Sequence, residues 1–194
     1  MYPQEYGGRV VVGKYDTTGV SRAASDATLS PTDTWRLCLE LLNQRPLIRL
    51  AERRSTSVAF PRRLGRRVER FTEAPPSQPV AVHVYDAQGR TRFLPLDFDA
   101  HDRTEDRAHG GAHIYVLLEE PLGAQEAHSL VLALGRRLST LDLKPTSNVS
   151  DGLITIPGSA HKRGGHRELA HDADAARAIA AGPGTEEGDR IRWS

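Results

Sequence analysis

The chain carries at residues 92–99 the sequence RFLPLDFD, an apolar stretch typical of a β-strand that ends in two acidic residues. Side chains two apart on a strand point to the same face, so Asp97 and Asp99 project together. Two neighbouring carboxylates repel each other, and Mg²⁺ or Mn²⁺, which prefers oxygen ligands, relieves that repulsion. The pair therefore indicates a metal site. The alternative is that the strand simply ends here and Asp99 begins a surface turn.

The residues around this strand predict a mixed α+β fold. Residues 80–85 alternate valine with other residues, and a turn at residues 86–89 follows, so residues 80–99 predict a β-hairpin. Beyond it, the predicted elements are a strand at 112–118, a helix at 124–138, a short strand at 152–156 and an alanine-rich helix after 172. This order is typical of an α+β domain with a mixed, mainly antiparallel sheet and flanking helices.

The N-terminal part is less regular. Residues 1–30 predict a loop-rich arm with at most one strand at residues 10–12. A helix is predicted at residues 32–44, after the helix-starting sequence Ser-Pro-Thr-Asp, and a second short helix from residue 47. The proline-rich stretch at residues 73–79 cannot continue a helix. It divides the chain into a loop-rich and basic helical region (1–75), a core that carries the acidic pair (76–170), and a C-terminal helix with a polar tail (171–194).

Composition indicates one ordinary globular domain with a hydrophobic core. Of the 194 residues, 38% are hydrophobic, which is sufficient for such a core. Cys38 is the single cysteine, which excludes an internal disulfide and a cysteine-rich zinc site. Because no apolar run is long enough to cross a bilayer and no signal sequence is recognisable, we expect a cytoplasmic protein with no membrane partner.

The formal net charge of +1 hides an arginine-rich stretch from Arg45 to Arg70, in which only Glu52 and Glu69 are acidic. Such a stretch can bind phosphates. Within it, the predicted DNA-binding residues are Arg62, Arg63, Arg66 and Arg67. The alternative is a solvated helix face.

Other residues are candidates for binding phosphate. His113 follows two glycines, where a ligand can approach the backbone closely, although a half-buried structural histidine is the alternative. Asp142 is a third acid between leucines. Residues 157–166 combine a hydroxyl, cationic side chains and glycines, so this loop can wrap a triphosphate, or it can be a plain basic turn.

The motifs, in order, are FLPLDFDAH (93–101), GGAHIYV (110–116), TLD (140–142) and DGLITIPGSAHK (151–162). Together they resemble the archaeo-eukaryotic primase superfamily, above all the primase-polymerase domains of plasmid, phage and integrated-element replication proteins. The resemblance extends over residues 80–170 and implies an RRM-like core. The chain differs from the family in a short connection between the first two motifs and in Thr155, where an arginine is often seen.

The resemblance implies a role for each matching residue. Asp97, Asp99 and Asp142 would be catalytic and would bind Mg²⁺ or Mn²⁺, and the nucleotide contacts would be His113, Ser159, His161 and Lys162. The implied activity is a DNA primase or polymerase of plasmid or phage replication, which adds nucleotides from nucleoside triphosphates to a primer on a single-stranded DNA template. No helicase motif is recognisable, so a separate replicative helicase is a further expected partner.

Two alternatives stay open. In the first, the chain is a non-catalytic nucleic-acid-binding protein with a degenerate primase-like fold, and the acidic pair is structural. In the second, it is a metal-dependent nuclease in which His113 or His161 supplies acid-base catalysis.

Overall fold

The structure is a computed structural model that describes residues 8–14, 29–53, 58–59, 68–70, 72–98, 112–161, 164–170 and 173–181. Its helices are α1 (Pro31–Leu42), α2 (Ala124–Gly135) and α3 (Ala173–Ala181). Its strands are β1 (Gly8–Lys14), β2 (Leu47–Leu50), β3 (Glu52–Arg53), β4 (Val58–Ala59), β5 (Val68–Arg70), β6 (Val80–His83), β7 (Arg90–Phe98), β8 (Ala112–Gly123), β9 (Leu141–Asp142), β10 (Leu153–Ile154) and β11 (Glu168–Leu169).

The strands form two antiparallel sheets and a small two-stranded one. The main sheet has the order β11-β1-β8-β7-β9, and the second sheet has the order β10-β6-β2-β5. Every strand pair of both sheets is antiparallel. The predicted α+β class with a mainly antiparallel sheet is therefore confirmed, whereas the primase-polymerase core stays a prediction. In the part of the chain that the structure describes, no helix is long and apolar enough to cross a membrane.

The predicted hairpin of residues 80–99 is wrong. Its turn exists, since the backbone N–H of Asp86 donates to the carbonyl of Arg90 at 2.8 Å. The two strands, however, belong to different sheets: β6 pairs with β2 and β10, and β7 pairs with β8 and β9. All four residues of β6 are buried, so both faces and both edges of this strand are covered. Alternating valines predict a strand but not its partner.

The predicted second helix from residue 47 is also wrong, because these residues form β2, the strand between β5 and β6. A run of four residues is too short for its apolar spacing to distinguish a helix from a strand. The first predicted helix is confirmed as α1. Ser30 caps it by accepting a hydrogen bond from the backbone N–H of Asp33 at 3.1 Å, and Pro31 occupies the first turn.

The N-terminal arm contributes a strand to the main sheet. β1 lies between β8 and β11 and is longer than the three valines that predicted it. β2 likewise comes from the predicted N-terminal region and pairs with β6 of the predicted core. The three-part division of the chain stays a prediction, but strands from both sides of residue 75 build both sheets.

The hydrophobic core joins α1 to both sheets. Trp35 and Leu42 of α1, Val82 of β6, Phe93 of β7 and Tyr115 of β8 are all buried in it. The rings of Phe93 and Tyr115 are in tilted contact, with their centroids 6.2 Å apart. Burial of such large side chains is the main favourable term in folding, so this cluster holds β7 and β8 in place.

Candidate functional site

Three of the predicted site residues lie side by side on adjacent strands of the main sheet. Asp97 of β7 is directly opposite His113 of β8 on one side and Asp142 of β9 on the other. Opposed residues of antiparallel strands share a face, with Cβ atoms about 5 Å apart. We call Asp142, Asp97 and His113 the acidic row. Residues far apart in sequence thus lie next to one another.

The register of β7 places Asp97 in this row. The pairing of β7 with β8 shifts between Thr91 and Phe93, which is a bulge-type irregularity. The buried Thr91 hydroxyl donates to the carbonyl of Phe93 at 2.6 Å and accepts from its N–H at 3.2 Å. A slip of one residue would turn Asp97 to the other face, so this local structure helps to determine which side chains enter the row.

The imidazole of His113 is held at both nitrogens. Nε2 lies 2.8 Å from Oδ1 of Asp97, and Nδ1 lies 3.0 Å from the carbonyl oxygen of Thr155. The Tyr115 hydroxyl is 3.2 Å from the same Nδ1 and donates to the Thr155 carbonyl at 2.7 Å. His113 is only 6% exposed, whereas the Asp97 side chain is 23% exposed and can meet a ligand.

Asp142 completes the row at the edge of the sheet. Its Oδ1 accepts a hydrogen bond from the backbone N–H of Lys144 at 3.0 Å, and its Oδ2 is 3.8 Å from the Lys144 ammonium. The lysine side chain is almost fully exposed, so this ion pair is weak and can give way to another cation. Asp142, like Asp97, therefore keeps a carboxylate that solvent can reach.

The chemistry of these donors fits Mg²⁺ or Mn²⁺, since two carboxylates on one face are what such ions use together with substrate oxygens. Asp97 and Asp142 would hold the ion. Asp99, the third predicted ligand, lies outside the described residues. Within the described residues, no group of three or more His, Cys, Asp or Glu side chains could hold a metal ion.

The predicted triphosphate loop is the tip of a short hairpin next to the row. Gly158 N–H donates to the carbonyl of Arg167 at 2.7 Å, and His161 N–H donates to that of Gly165 at 2.9 Å. Ser159 is fully buried and its hydroxyl donates to the Ile156 carbonyl at 2.6 Å, so it contacts a nucleotide only if this turn opens. His161 is half-buried at the tip, and Lys162 lies outside the described residues.

Comparison with known proteins gives no family to which the chain can be assigned. No protein-family model, curated protein or solved structure matches it. The assignment of a function therefore depends on the acidic row and on the hairpin beside it. The resemblance of the four motifs to primase-polymerases stays an expectation.

Two arginines of the arginine-rich stretch bind the protein itself, and DNA binding by the others stays a prediction. The predicted DNA-binding residues Arg62, Arg63, Arg66 and Arg67 lie outside the described residues. Arg45, however, donates to the carbonyls of Tyr85 and Asp86 at 2.7 and 2.9 Å. Arg49 is 1% exposed, pairs with Asp151 at 3.2 Å and donates to the Ser150 carbonyl. These two guanidinium groups bind loops of the protein itself.

Sequence reasoning missed Tyr115 and Thr155. Tyr115 follows His113 by two residues on a predicted strand, so the period of two was enough to place both on one face. Thr155 contributes a backbone carbonyl, which no side-chain pattern can indicate. Its segment carries a predicted nucleotide-binding motif, and the contact with His113 joins that motif to the acidic row.

Proposed function

We propose that this chain is a metal-dependent nucleotidyltransferase of the DNA primase-polymerase type. It would add nucleotides from nucleoside triphosphates to a primer on a single-stranded DNA template. The observation that supports this most is the acidic row, in which Asp97 lies in register between Asp142 and His113. A histidine beside a pair of carboxylates, with a glycine-rich hairpin next to it, matches the needs of a metal–triphosphate site.

Phosphoryl and nucleotidyl transfer depend mainly on positioning and on neutralising charge. Asp97 and Asp142 supply the anionic face that attracts a divalent cation. When bound, Mg²⁺ or Mn²⁺ would polarise the phosphate oxygens and activate the attacking hydroxyl oxygen. His113 Nε2 is turned toward the Asp97 carboxylate, and its Nδ1 contacts the Thr155 carbonyl, three residues before the hairpin from Gly158 to Arg167.

The experiment is extension of a labelled primer on a single-stranded template with Mn²⁺ and nucleoside triphosphates. Asp97→Asn and Asp142→Asn each remove one negative charge and keep the shape of the side chain. The control is Asp174→Asn on α3, since the Asp174 carboxylate is fully exposed and, among the described residues, pairs with Arg177. We expect each row variant to extend at least about 100-fold more slowly, a loss typical of removing one charge-stabilising group. The control should extend like wild type.

Other results would point to the two alternatives. Shortening of the labelled strand in place of growth, lost in the same two variants, would identify a nuclease. No change in strand length, with template binding equal in wild type and Asp97→Asn, would identify a nucleic-acid-binding protein without this activity. Either result would contradict the transferase.

A further inference from the structure

Two acceptor oxygens lie on the Nδ1 side of His113. The Tyr115 hydroxyl is 2.7 Å from the Thr155 carbonyl oxygen and 3.2 Å from Nδ1. The hydroxyl therefore donates its hydrogen bond to the closer atom, the carbonyl oxygen. Its oxygen then presents lone pairs toward Nδ1. The Thr155 carbonyl, 3.0 Å away, is a second acceptor for the same nitrogen. Nδ1 of His113 is therefore held within hydrogen-bond distance of both oxygens.

This arrangement determines which way the imidazole faces. With Nδ1 bound on the Thr155 side, Nε2 is directed at Asp97, 2.8 Å away. A ring turned by half a rotation would place carbon atoms against the Thr155 carbonyl and the Asp97 carboxylate. The Tyr115 ring also meets the imidazole edge-on, with the ring centroids 6.1 Å apart. The Tyr115 hydroxyl and ring thus limit the rotation of His113.

Tyr115 is suited to this task because it cannot move or ionise easily. It is 1% exposed, its ring is in contact with Phe93, and burial raises the pKa of its hydroxyl well above the ordinary value. The hydroxyl therefore stays a donor across the usual pH range. Its hydrogen bond to the Thr155 carbonyl connects the segment before the hairpin to β8, the strand that carries His113.

We propose that Tyr115 is a positioning residue, which fixes His113 through the Thr155 carbonyl so that Nε2 faces the Asp97 carboxylate of the acidic row. The claim about ring orientation is independent of the proposed function. Its consequence for turnover rests on that function. A residue of this kind aligns the reacting groups without touching the substrate, and misalignment is costly.

The chain offers a matched control for the test. Tyr85 is fully buried, and its hydroxyl donates to the carbonyl of Thr146 at 2.8 Å. Tyr115→Phe and Tyr85→Phe therefore delete the same kind of buried hydrogen bond, one beside His113 and the other to a different loop. A purely structural role predicts that the two variants behave alike apart from a loss of stability.

The first measurement is the NMR spectrum of the imidazole nitrogens in protein labelled with ¹⁵N-histidine, with the His113 signals assigned from their absence in His113→Gln. Wild type should show one sharp set of His113 signals, as expected for a ring held in one orientation. Tyr115→Phe should shift or broaden these signals, and Tyr85→Phe should leave them unchanged. Unchanged His113 signals in Tyr115→Phe would overturn the proposal.

The second measurement is primer extension. In Tyr115→Phe we expect kcat/KM for the nucleoside triphosphate to fall about 10-fold to 100-fold, with template affinity unchanged. Tyr85→Phe should keep the wild-type value, and equal values in the two variants would contradict a positioning role in turnover. If wild type extends no primer, the proposed function fails, and the NMR comparison still decides whether Tyr115 orients His113.

Discussion

His83 on β6 is a buried histidine whose two ring nitrogens have no hydrogen-bond partner among the described residues. Burial lowers its pKa from 6.5 to about 4, with Arg45 and Arg49 acting in the same direction and Asp151 opposing them. The folded protein therefore holds the neutral imidazole over a pH range in which the unfolded chain binds a proton. Stability must fall as the pH decreases from 6.5 toward 4, because protons favour the unfolded state there.

His83→Leu tests this linkage, since leucine fills a similar space and cannot take up a proton. Between pH 7.5 and pH 5.0, wild type should lose about 2 kcal/mol more free energy of unfolding than the variant does, as the two pKa values require. Urea unfolding at the two pH values measures this difference. Equal losses in the two proteins would mean that the pKa of His83 is not lowered in the folded state.

At the residue scale, the sequence predicts a side chain's place where it follows a period. Strand alternation predicts that Asp97 shares a face with Asp99, which lies outside the described residues, and the motifs indicate His113 and Asp142 by resemblance, so their role as a site stays a prediction. The Thr155 carbonyl and the Arg45 and Arg49 contacts with backbone oxygens were not predictable. These interactions depend on where loops meet, which local sequence does not specify.

Among the structural elements, the hairpin that follows Ile156 is tightly packed against α1. Gly158 has a φ of 81°, and a Cβ at this position would lie 2.6 Å from the Pro31 carbonyl oxygen and from the Cα of Trp35. Glycine is therefore required both by the backbone conformation and by the space. The contact anchors the loop of the predicted nucleotide-binding motif to the start of α1.

Gly158→Ala should therefore destabilise the protein more than a glycine replacement elsewhere in the hairpin. Gly164 is the matched control, since its φ is 99° but a Cβ there would meet nothing within 4 Å. We expect Gly158→Ala to cost about 2 kcal/mol more than Gly164→Ala, because overpacking adds to the backbone strain that both share. Thermal or urea unfolding of both variants measures the difference. Equal costs would show that the α1 contact does not constrain the loop.

At the element scale, the sequence predicts the helices but not the pairing of the strands. Helix α1 was predictable from its cap and the spacing of its apolar residues, and α2 from its apolar face. The pairing of β6 with β2 and β10 was not, because a buried strand with alternating valines fits several neighbours. Partner choice was determined by burial on both faces of β6.

At the scale of the whole molecule, the main sheet brings together strands that are far apart along the chain, from β1 to β11. β1, from the first 14 residues, lies between β8 and β11, and its Gly13 is directly opposite His113. At the opposite edge of the sheet, β9 pairs with β7 and contributes Asp142. The acidic row itself depends on the pairing of β7 with β8 and β9, which lie between Arg90 and Asp142, so no single motif predicts its geometry.

The central proposal is that Asp97 and Asp142 of the acidic row bind a divalent cation, and the most direct test is Mn²⁺ binding followed by electron paramagnetic resonance of the free ion. Wild type and Asp174→Asn should bind Mn²⁺ equally. Asp97→Asn and Asp142→Asn should each weaken binding about 10-fold or more, since each removes a charged oxygen ligand. Equal Mn²⁺ binding in all four proteins would contradict the claim, because the cation would then bind elsewhere or not at all.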